Sequence, residues 1–459
     1  MSSSVSAARR EAAPAAPELK REIGLYAAIA ITVGNIVGSG IFRSPHSVAQ
    51  QLPGVGLPIL AWVVGGVLSL CGALVLAELA VAHPRTGGLY VFIREAFGNA
   101  WGFVFGWANL WVIKPTVIAA IASVFALYFC QAVGLPKGAE LPIGCGAILL
   151  LTFINQLGVK EGAGTAAIFT TLKVVGIVGL CIAAFSLTAT HPPGTPTGGG
   201  VIHIMTPPAT LLTFIAAMIP VLFAYDGWTD VTYVGGECRS PGRNLPIAIV
   251  WGTVLVIAVY VLTNLAYFKV LSPWDVANYE AVGSETIGRL LGDWGRSALA
   301  VLVAISTFGT VNGAVLTGPR VTQAMASDGL LWKPMAGLDP RRGTPVLALW
   351  VQAVLSCVWL AVAGGFEDVS GWFVTTSWLF YGVSIAAVFM QRRREREGKA
   401  SPSAYRTPLF PITAILFILV TVGLIASDLT ASGWRAAAGV IIAALGFPVY
   451  YVWKGRHPA

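Results

Sequence analysis

Charge is what this sequence has least of. Lys, Arg, Asp and Glu make up 11% of its 459 residues, against about 25% in an average soluble domain. That argues against a soluble protein. Histidine is scarce as well: His46, His83, His191, His203 and His457 are the whole set, and they lack metal-ligand spacing. The cysteines (Cys71, Cys130, Cys145, Cys181, Cys238, Cys357) are scattered, and none forms a CxxC pair. Neither a metal centre nor a disulfide framework follows, and buried small hydrophobes are the simpler reading. No polar stretch is long enough for a soluble module, which argues against a receptor with a separate catalytic or sensory domain. A channel would need a ring of repeated charges or a filter sequence, and a membrane enzyme would need convergent His, Asp or Glu on its helices. The chain offers neither.

What it has is apolar residues, 56% of the total, for a mean hydropathy of +0.75. Apolar stretches near or above about 20 residues recur along the whole length, the mark of transmembrane helices. A β-barrel would show short alternating segments. The expected fold class is therefore an all-α, multi-pass membrane protein. Twelve spans are predicted, at 24–50, 57–83, 97–132, 141–157, 162–189, 209–237, 244–270, 294–326, 345–364, 367–391, 408–427 and 434–453. Residues 1–23 read as a polar cytoplasmic tail, because the first apolar stretch is too long for a signal peptide and no cleavage pattern follows it.

An even number of spans puts both termini on one side. With that side cytoplasmic, inner segments hold 21 of the 29 Lys and Arg residues and outer segments hold six; Lys114 and Lys173 lie within spans. This positive-inside bias supports cytoplasmic termini and explains the net charge of +8 without nucleic acid. The cluster "RRREREGK", 392–399, reads as a cytoplasmic loop near anionic headgroups. The 272–293 segment is expected outside with one or two short helices, and "THPPGTPTGGG", 190–200, as an irregular outer loop.

Ionisable groups inside a membrane are costly and mark function by default. Lys173, in "AAIFTTLKVVGIVGL", stands about twelve residues into its span, roughly 18 Å at about 1.5 Å per residue, near the midplane. It cannot easily snorkel, so it must meet carbonyls, hydroxyls or a carboxylate. A strut between helices and a coupling role are both open to it. Lys114 precedes Pro115, whose kink frees a carbonyl that the lysine can satisfy. Glu78, near the inner end of the second span, is expected to pair with a cytoplasmic-side arginine. Asp226, Gly227 and Asp230, in "FAYDGWTD", suit a continuous helix poorly, so a break is expected around Phe223–Gly227. Asp226 is then a ligand or a cap for the next half-helix.

A first break is expected in "GNIVGSGIF", 34–42. Spans one and six would thus both be interrupted near mid-depth, five spans apart. Two five-helix units, 24–189 and 209–391, with the second inverted, fit this spacing. Helices 408–453 then complete one transporter domain, 24–454. Broken helices in corresponding places of inverted repeats point to a transporter site at the midplane. Unpaired N–H groups after Gly38–Gly40, at the positive end of a helix dipole, suit a carboxylate. Carbonyls left free around Ile36 and Phe223–Asp226 suit an ammonium. Together they complement a zwitterionic amino acid.

The stretches "GNIVGSGIF", "AELAVAHPRTGGLYVFIREAFG", "FTTLKVVGI", "FAYDGWTDVTYVGGE", "NLPIAI" and "STFGTVNGAVLTGPRVTQAMASDGLL" resemble the amino acid–polyamine–organocation transporters. Within them they resemble the L-type amino acid transporters and their bacterial alanine–serine–cysteine exchanger relatives. The resemblance implies a 5+5 inverted-repeat fold with broken helices one and six. Gly38, Ser39 and Gly40 would hold the substrate carboxylate. Ile36, Phe223, Ala224 and Asp226 would offer backbone to its amino group, and Phe223 would also gate the outside. Lys173, near Ser306, would occupy the place of a cation in sodium-coupled relatives, and Tyr233 would connect substrate to the inner gate. The family usually has two glutamates after span six where this chain has Gly236–Glu237. The loop "VGLPKGAE" lacks the cysteine by which animal members join a glycoprotein partner, so no disulfide-linked heavy chain is expected. The expectation is a sodium-independent exchanger of neutral L-amino acids in a bacterial inner membrane, with no cofactor and no metal. One rival is a proton-coupled symporter using Lys173. Another is a cationic amino acid or polyamine antiporter, which Asp226 suits although the sequence shows no second well-placed acid.

Overall fold

The computed structural model describes residues 23–85, 87–157, 162–188, 210–340, 342–363, 365–432 and 434–456. The tail before Ile23, the 190–200 loop and Lys160 lie outside the described residues. Among the described residues the chain is all helical, apart from an isolated bridge between Ile23 and Cys238.

In chain order the α-helices are α1 (Leu25–Ile36), α2 (Gly40–Gln51), α3 (Gly56–Ala82), α4 (Leu89–Phe97), α5 (Asn99–Ala108), α6 (Lys114–Val133) and α7 (Glu140–Gln156). Next come α8 (Gly162–Ser186), α9 (Leu211–Ala224), α10 (Pro241–Val270), α11 (Pro273–Asn278) and α12 (Val282–Ser327). The last are α13 (Val346–Val362), α14 (Phe366–Arg396), α15 (Ile412–Ser432), α16 (Trp434–Ala444) and α17 (Gly446–Arg456). Nine helical stretches among the described residues are long and apolar enough to cross a membrane, including Leu25–Gln51, Asn99–Val133 and Ala437–Gly455. Shorter apolar helices occur at Lys173–Ser186, Leu211–Ala224 and Val346–Val362. The chain is an integral, multi-pass membrane protein.

Lipid offers the backbone no hydrogen bonds, so the helix is the default wherever apolar residues run on. Hydroxyls inside these helices bond back to their own carbonyls: Thr253 to Ile249, Thr263 to Val259, Thr307 to Val303. Departures from helix are therefore informative, and they follow glycine and proline. Pro115 has no N–H to give, and the turn before it widens into a π-helix, Asn109–Ile113. The kink expected at Lys114–Pro115 is this π-turn. Gly292, at φ +73°, divides α12 into a short first helix and a long apolar one. Segment 272–293 thus carries two short helices, within the one or two expected of it.

In the interior, α10 packs on α3 and α1, α12 on α6 and α8, and α2 on α9. Trp62, Trp228, Trp378 and Tyr260 are fully buried there. Val175, Ile182, Leu255 and Leu419 are exposed, as lipid-facing side chains are. Near the C-terminal end of α3, Glu78 is buried. It receives two 2.8 Å bonds from Arg392, one of 3.2 Å from Arg406, and the N–H and hydroxyl of Thr407 at 2.8 and 2.6 Å. The arginine pairing expected for Glu78 is present, and it absorbs part of the 392–399 charge.

Candidate functional site

The first break lies within "GNIVGSGIF". α1 ends at Ile36, residues 37–39 are unwound, and α2 starts at Gly40 with no side-chain cap from Ser39. The first N–H groups of α2 therefore face the break. The second break follows α9. Its last residue is Ala224, a turn spans 225–229, and a tighter 3-10 helix, Asp230–Glu237, continues the chain.

The two breaks touch through glycine. A Cβ on Gly40 would stand 2.4 Å from Ala224 Cα, and one on Gly227 would stand 2.7 Å from the Asn35 carbonyl carbon. Gly227 also has φ +113°, which L side chains avoid. The glycines at these two places permit backbone-to-backbone contact. Gly38 differs: its nearest neighbour would be Thr310 Cγ2, at an ordinary 3.7 Å.

Side chains from other helices hold the broken ends. Tyr260 of α10 points its hydroxyl at the Ile36 carbonyl (2.7 Å) and the Ala224 carbonyl (3.0 Å). Beyond the first break, Tyr128 donates to the Phe42 carbonyl (3.0 Å) and Tyr267 to that of Ile41 (3.3 Å). Lys173 of α8 is buried, and its Nζ donates to the Gly34 carbonyl (2.9 Å) and Thr310 Oγ1 (3.0 Å). It thus joins α8, the first break and α12.

Three expectations change here. The carbonyls at the breaks are not free: Ile36 accepts Gly38 N–H at 2.7 Å as well as Tyr260, and Phe223 accepts Asp226 N–H at 3.2 Å. Each carbonyl oxygen has two lone pairs, so capacity remains at Phe223 but not at Ile36, which already meets two donors. Thr310, one helical turn beyond Ser306, is the α12 partner of Lys173; Ser306 Oγ is buried with no hydrogen-bond partner, as is Ser39 Oγ. Finally, the 3-10 helix after the second break starts without a side-chain cap. The carboxylate of Asp226 instead takes the hydroxyl of Tyr381 on α14 at 2.5 Å.

Below the breaks lies a polar group of partly exposed residues. Asp230 accepts from Asn35 Nδ2 (3.1 Å), Lys114 Nζ sits 5.6 Å from the centre of the Tyr233 ring, and Asp226 lies in the electrostatic reach of both Asp230 and Lys114. Asp230 is therefore the second acid that the sequence did not reveal. Above the breaks, the Phe223 ring meets Phe366 and Phe373 edge-on, with centroids 5.0 and 5.8 Å apart. The Arg43 guanidinium covers Phe366 at 5.5 Å and pairs with Glu367 at 2.9 Å and Glu280 at 3.8 Å. Burial works against the Glu280 charge, but Lys137 at 2.7 Å and the Arg43 charge hold its carboxyl below the ordinary range. Among the described residues no His, Cys, Asp and Glu group could hold a metal ion.

Of the predicted site residues, Ile36, Gly38, Ser39, Gly40, Phe223, Ala224 and Asp226 line the paired breaks. Lys173 adjoins them, and Tyr233 lies in the polar group below. The sequence reading missed Tyr260, Thr310 and the pairing of Asp230 with Asp226. For Thr310 the one-turn spacing from Ser306 was a usable signal; for Tyr260 there was none, since its partners are backbone atoms on other helices.

Residues 23–446 match the family model described as amino acid permease. Over 444 residues the chain is 32% identical to the serine/threonine exchanger SteT of Bacillus subtilis, covering 95% of this chain and 98% of that one. It is 31% identical over 452 residues to the b(0,+)-type amino acid transporter 1 of Mus musculus, covering 95% and 88%. It is 33% identical over 449 residues to the large neutral amino acids transporter small subunit 2 of Mus musculus, covering 95% and 81%. With paired breaks at its centre and this match along nearly its whole length, the chain belongs to the amino acid permease family.

Proposed function

We propose that this protein exchanges neutral L-amino acids without sodium, by alternating access around the two breaks. The observation that carries this reading is Lys173, whose ammonium links the Gly34 carbonyl to Thr310. A fixed positive charge of the protein's own stands beside the break, so no sodium ion is needed there. Ser39 and Gly40 present N–H groups to the substrate carboxylate beside Gly38, whose own N–H is turned to Ile36, and the remaining lone pairs of Phe223 and Ala224 serve its ammonium. Phe223, under Phe366 and Arg43, closes the outer side. Tyr233 and the polar group below connect the site to the inside.

The nine long and three shorter apolar helices support a count of twelve spans. The breaks in α1–α2 and after α9 support two inverted five-helix units, 24–189 and 209–391, with 408–453 added. We place the protein in a bacterial cytoplasmic membrane with both termini inside, from the distribution of its basic residues, and without a disulfide-linked heavy chain.

A second reading is favoured by one observation. Asp226 and Asp230 face a single ammonium, that of Lys114. Two carboxylates against one cation leave room for one more positive charge, which a cationic amino acid side chain would supply.

Proteoliposomes loaded with unlabelled alanine, serine or leucine test the proposal. Uptake of the labelled compound should exceed that of empty vesicles and survive replacement of sodium by choline. No acceleration over empty vesicles overturns exchange, and dependence on sodium overturns the role given to Lys173. Uptake into empty vesicles driven by a pH gradient would point to proton coupling. Competition by lysine or ornithine, lost in Asp226→Asn, decides for the second reading.

A further inference from the structure

We infer that Cys145 and Cys357 form a dithiol across α7 and α13 that a disulfide oxidant closes into an interhelix bond. The bond joins the two proposed five-helix units at a place away from both breaks.

The two cysteines are 212 positions apart in sequence, so their spacing gives no hint of the pair. The helices bring them to one level. Cys145 stands five residues from Glu140, the start of α7, and Cys357 five residues from Val362, the end of α13. At about 1.5 Å per residue, each lies about 7.5 Å from that end. The helices run antiparallel: near the opposite ends, Trp350 Nε1 donates to Gln156 Oε1 at 2.6 Å.

The backbones approach closely there. Gly144, beside Cys145, gives α7 no side chain, and a Cβ on it would stand 2.9 Å from Leu360 Cδ2 on α13. One turn before Leu360, Cys357 Sγ lies 4.0 Å from the Cys145 carbonyl oxygen, and the two thiols are in hydrogen-bonding reach of each other. Both are free and half-buried, whereas Cys71, Cys130 and Cys238 are buried. Cys181 Sγ instead meets Thr263 Oγ1, at 3.7 Å.

Closure takes two exchange steps. One thiolate attacks a sulfur of the oxidant, which leaves a mixed disulfide and releases one thiol. The second thiolate attacks the protein sulfur of that mixed disulfide and releases the other. Two protons and two electrons pass from the dithiol to the oxidant, which departs as two thiols. The bond falls within a group of four helices, since α6, α7, α12 and α13 all pack on one another. Neither broken span belongs to that group. Closure is therefore expected to raise thermal stability and to leave exchange intact.

The test treats the purified protein with the membrane-permeant disulfide dithiodipyridine, then maps its peptides without reduction. The free thiols should fall from six to four. Residues 145 and 357 should appear in one linked peptide, lighter than the two free peptides by two hydrogens. In Cys145→Ser nothing resolves the mixed disulfide, so Cys357 should keep half of the oxidant as an adduct. The closed parent should melt several degrees above the reduced one, return to it with dithiothreitol, and exchange alanine as before. Recovery of Cys145 and Cys357 free, each capped by the oxidant, or linked to other cysteines overturns the inference. Exchange lost on closure and restored by dithiothreitol overturns the placement of the bond away from the moving parts. The linkage is read on the protein whether or not it exchanges amino acids, so failure of the proposed function is a separate result.

Discussion

Gly38 and Gly40 are two residues apart in one motif, yet the structure gives them different work, and an alanine at each separates the two. At Gly40 the added Cβ would lie 2.4 Å from Ala224 Cα, 2.6 Å from its Cβ and 3.2 Å from its N. Carbon atoms rest at about 3.5–4.0 Å, so α2 and α9 must part by more than about 1 Å there. Overpacking of this kind costs about 1–3 kcal/mol. The better helix propensity of alanine returns at most about 1 kcal/mol. The displaced atoms are backbone, so no side chain can swing aside. Separation also pulls the Ala224 carbonyl off Tyr260. At Gly38 the new methyl would meet Thr310 Cγ2 at 3.7 Å, an ordinary contact, and no positive φ stands in its way. Gly40→Ala is therefore expected to lower both the thermal unfolding temperature and the rate of alanine exchange, the latter at least tenfold. Gly38→Ala should unfold like the parent, so any loss of exchange in it reports on the proposed carboxylate site and the Thr310 beside it. Purified variants, melted in detergent and assayed in proteoliposomes, give both readings. A Gly40→Ala protein with parental melting and parental exchange would refute the claim that the two breaks depend on backbone contact.

Two further substitutions follow from partners seen at the breaks and at the end of α3. Thr310→Val keeps volume but removes one of the two oxygens that Lys173 reaches, and should slow exchange severalfold while Ser306→Ala, at a hydroxyl with no partner, stays near parental rates; equal effects in the two would mean that the sequence reading of Ser306 was the better one. Glu78→Ala leaves Arg392, which lies in a bidentate pair, without its buried carboxylate, and is expected to destabilise the fold by about 3–5 kcal/mol; a melting temperature within a degree of the parent would contradict that.

The long helices were legible because lipid leaves a chain little choice: apolar run length alone locates them. The breaks were legible for the converse reason, since glycine and aspartate are poor residues for an unbroken helix in lipid. What the sequence concealed is which atoms meet. The π-turn before Lys114 follows from Pro115, but a widened turn and a simple kink look the same in residue types. Thr310 and Ser306 share a helix face one turn apart, and only the position of the Lys173 ammonium chooses between them. Asp226 was readable as an acid near a break, but its partner Tyr381 sits 155 positions away on α14. Asp226 and Asp230 stand four positions apart, the spacing of neighbours on a helix face, but they lie at and after a break, where that spacing could not be relied on.

The ties at the centre fall into two kinds, and the difference bears on motion. The broken spans are joined to each other by backbone. Just before α1, Ile23 N–H donates to the Glu237 carbonyl at 3.0 Å, and Arg239 N–H donates to that of Ile23 at 2.8 Å. At mid-depth Gly227 lies on Asn35, Gly40 lies on Ala224, and Tyr260 holds the two half-helix ends. These contacts are spread along the length of both spans, and a relative shift would have to undo several at once. Their polar ties to α8, α12 and α14 are single side chains, Lys173 to Gly34 and Thr310, Asp226 to Tyr381 and Arg43 to Glu367, beside the packing of Phe223 on Phe366 and Phe373 of α14. A charged hydrogen bond is worth about 1.5–3 kcal/mol and can be exchanged for water or substrate without leaving a void. If the breaks move during transport, they move together as one body. The joints that open are then the side-chain ties, that of Lys173 among them.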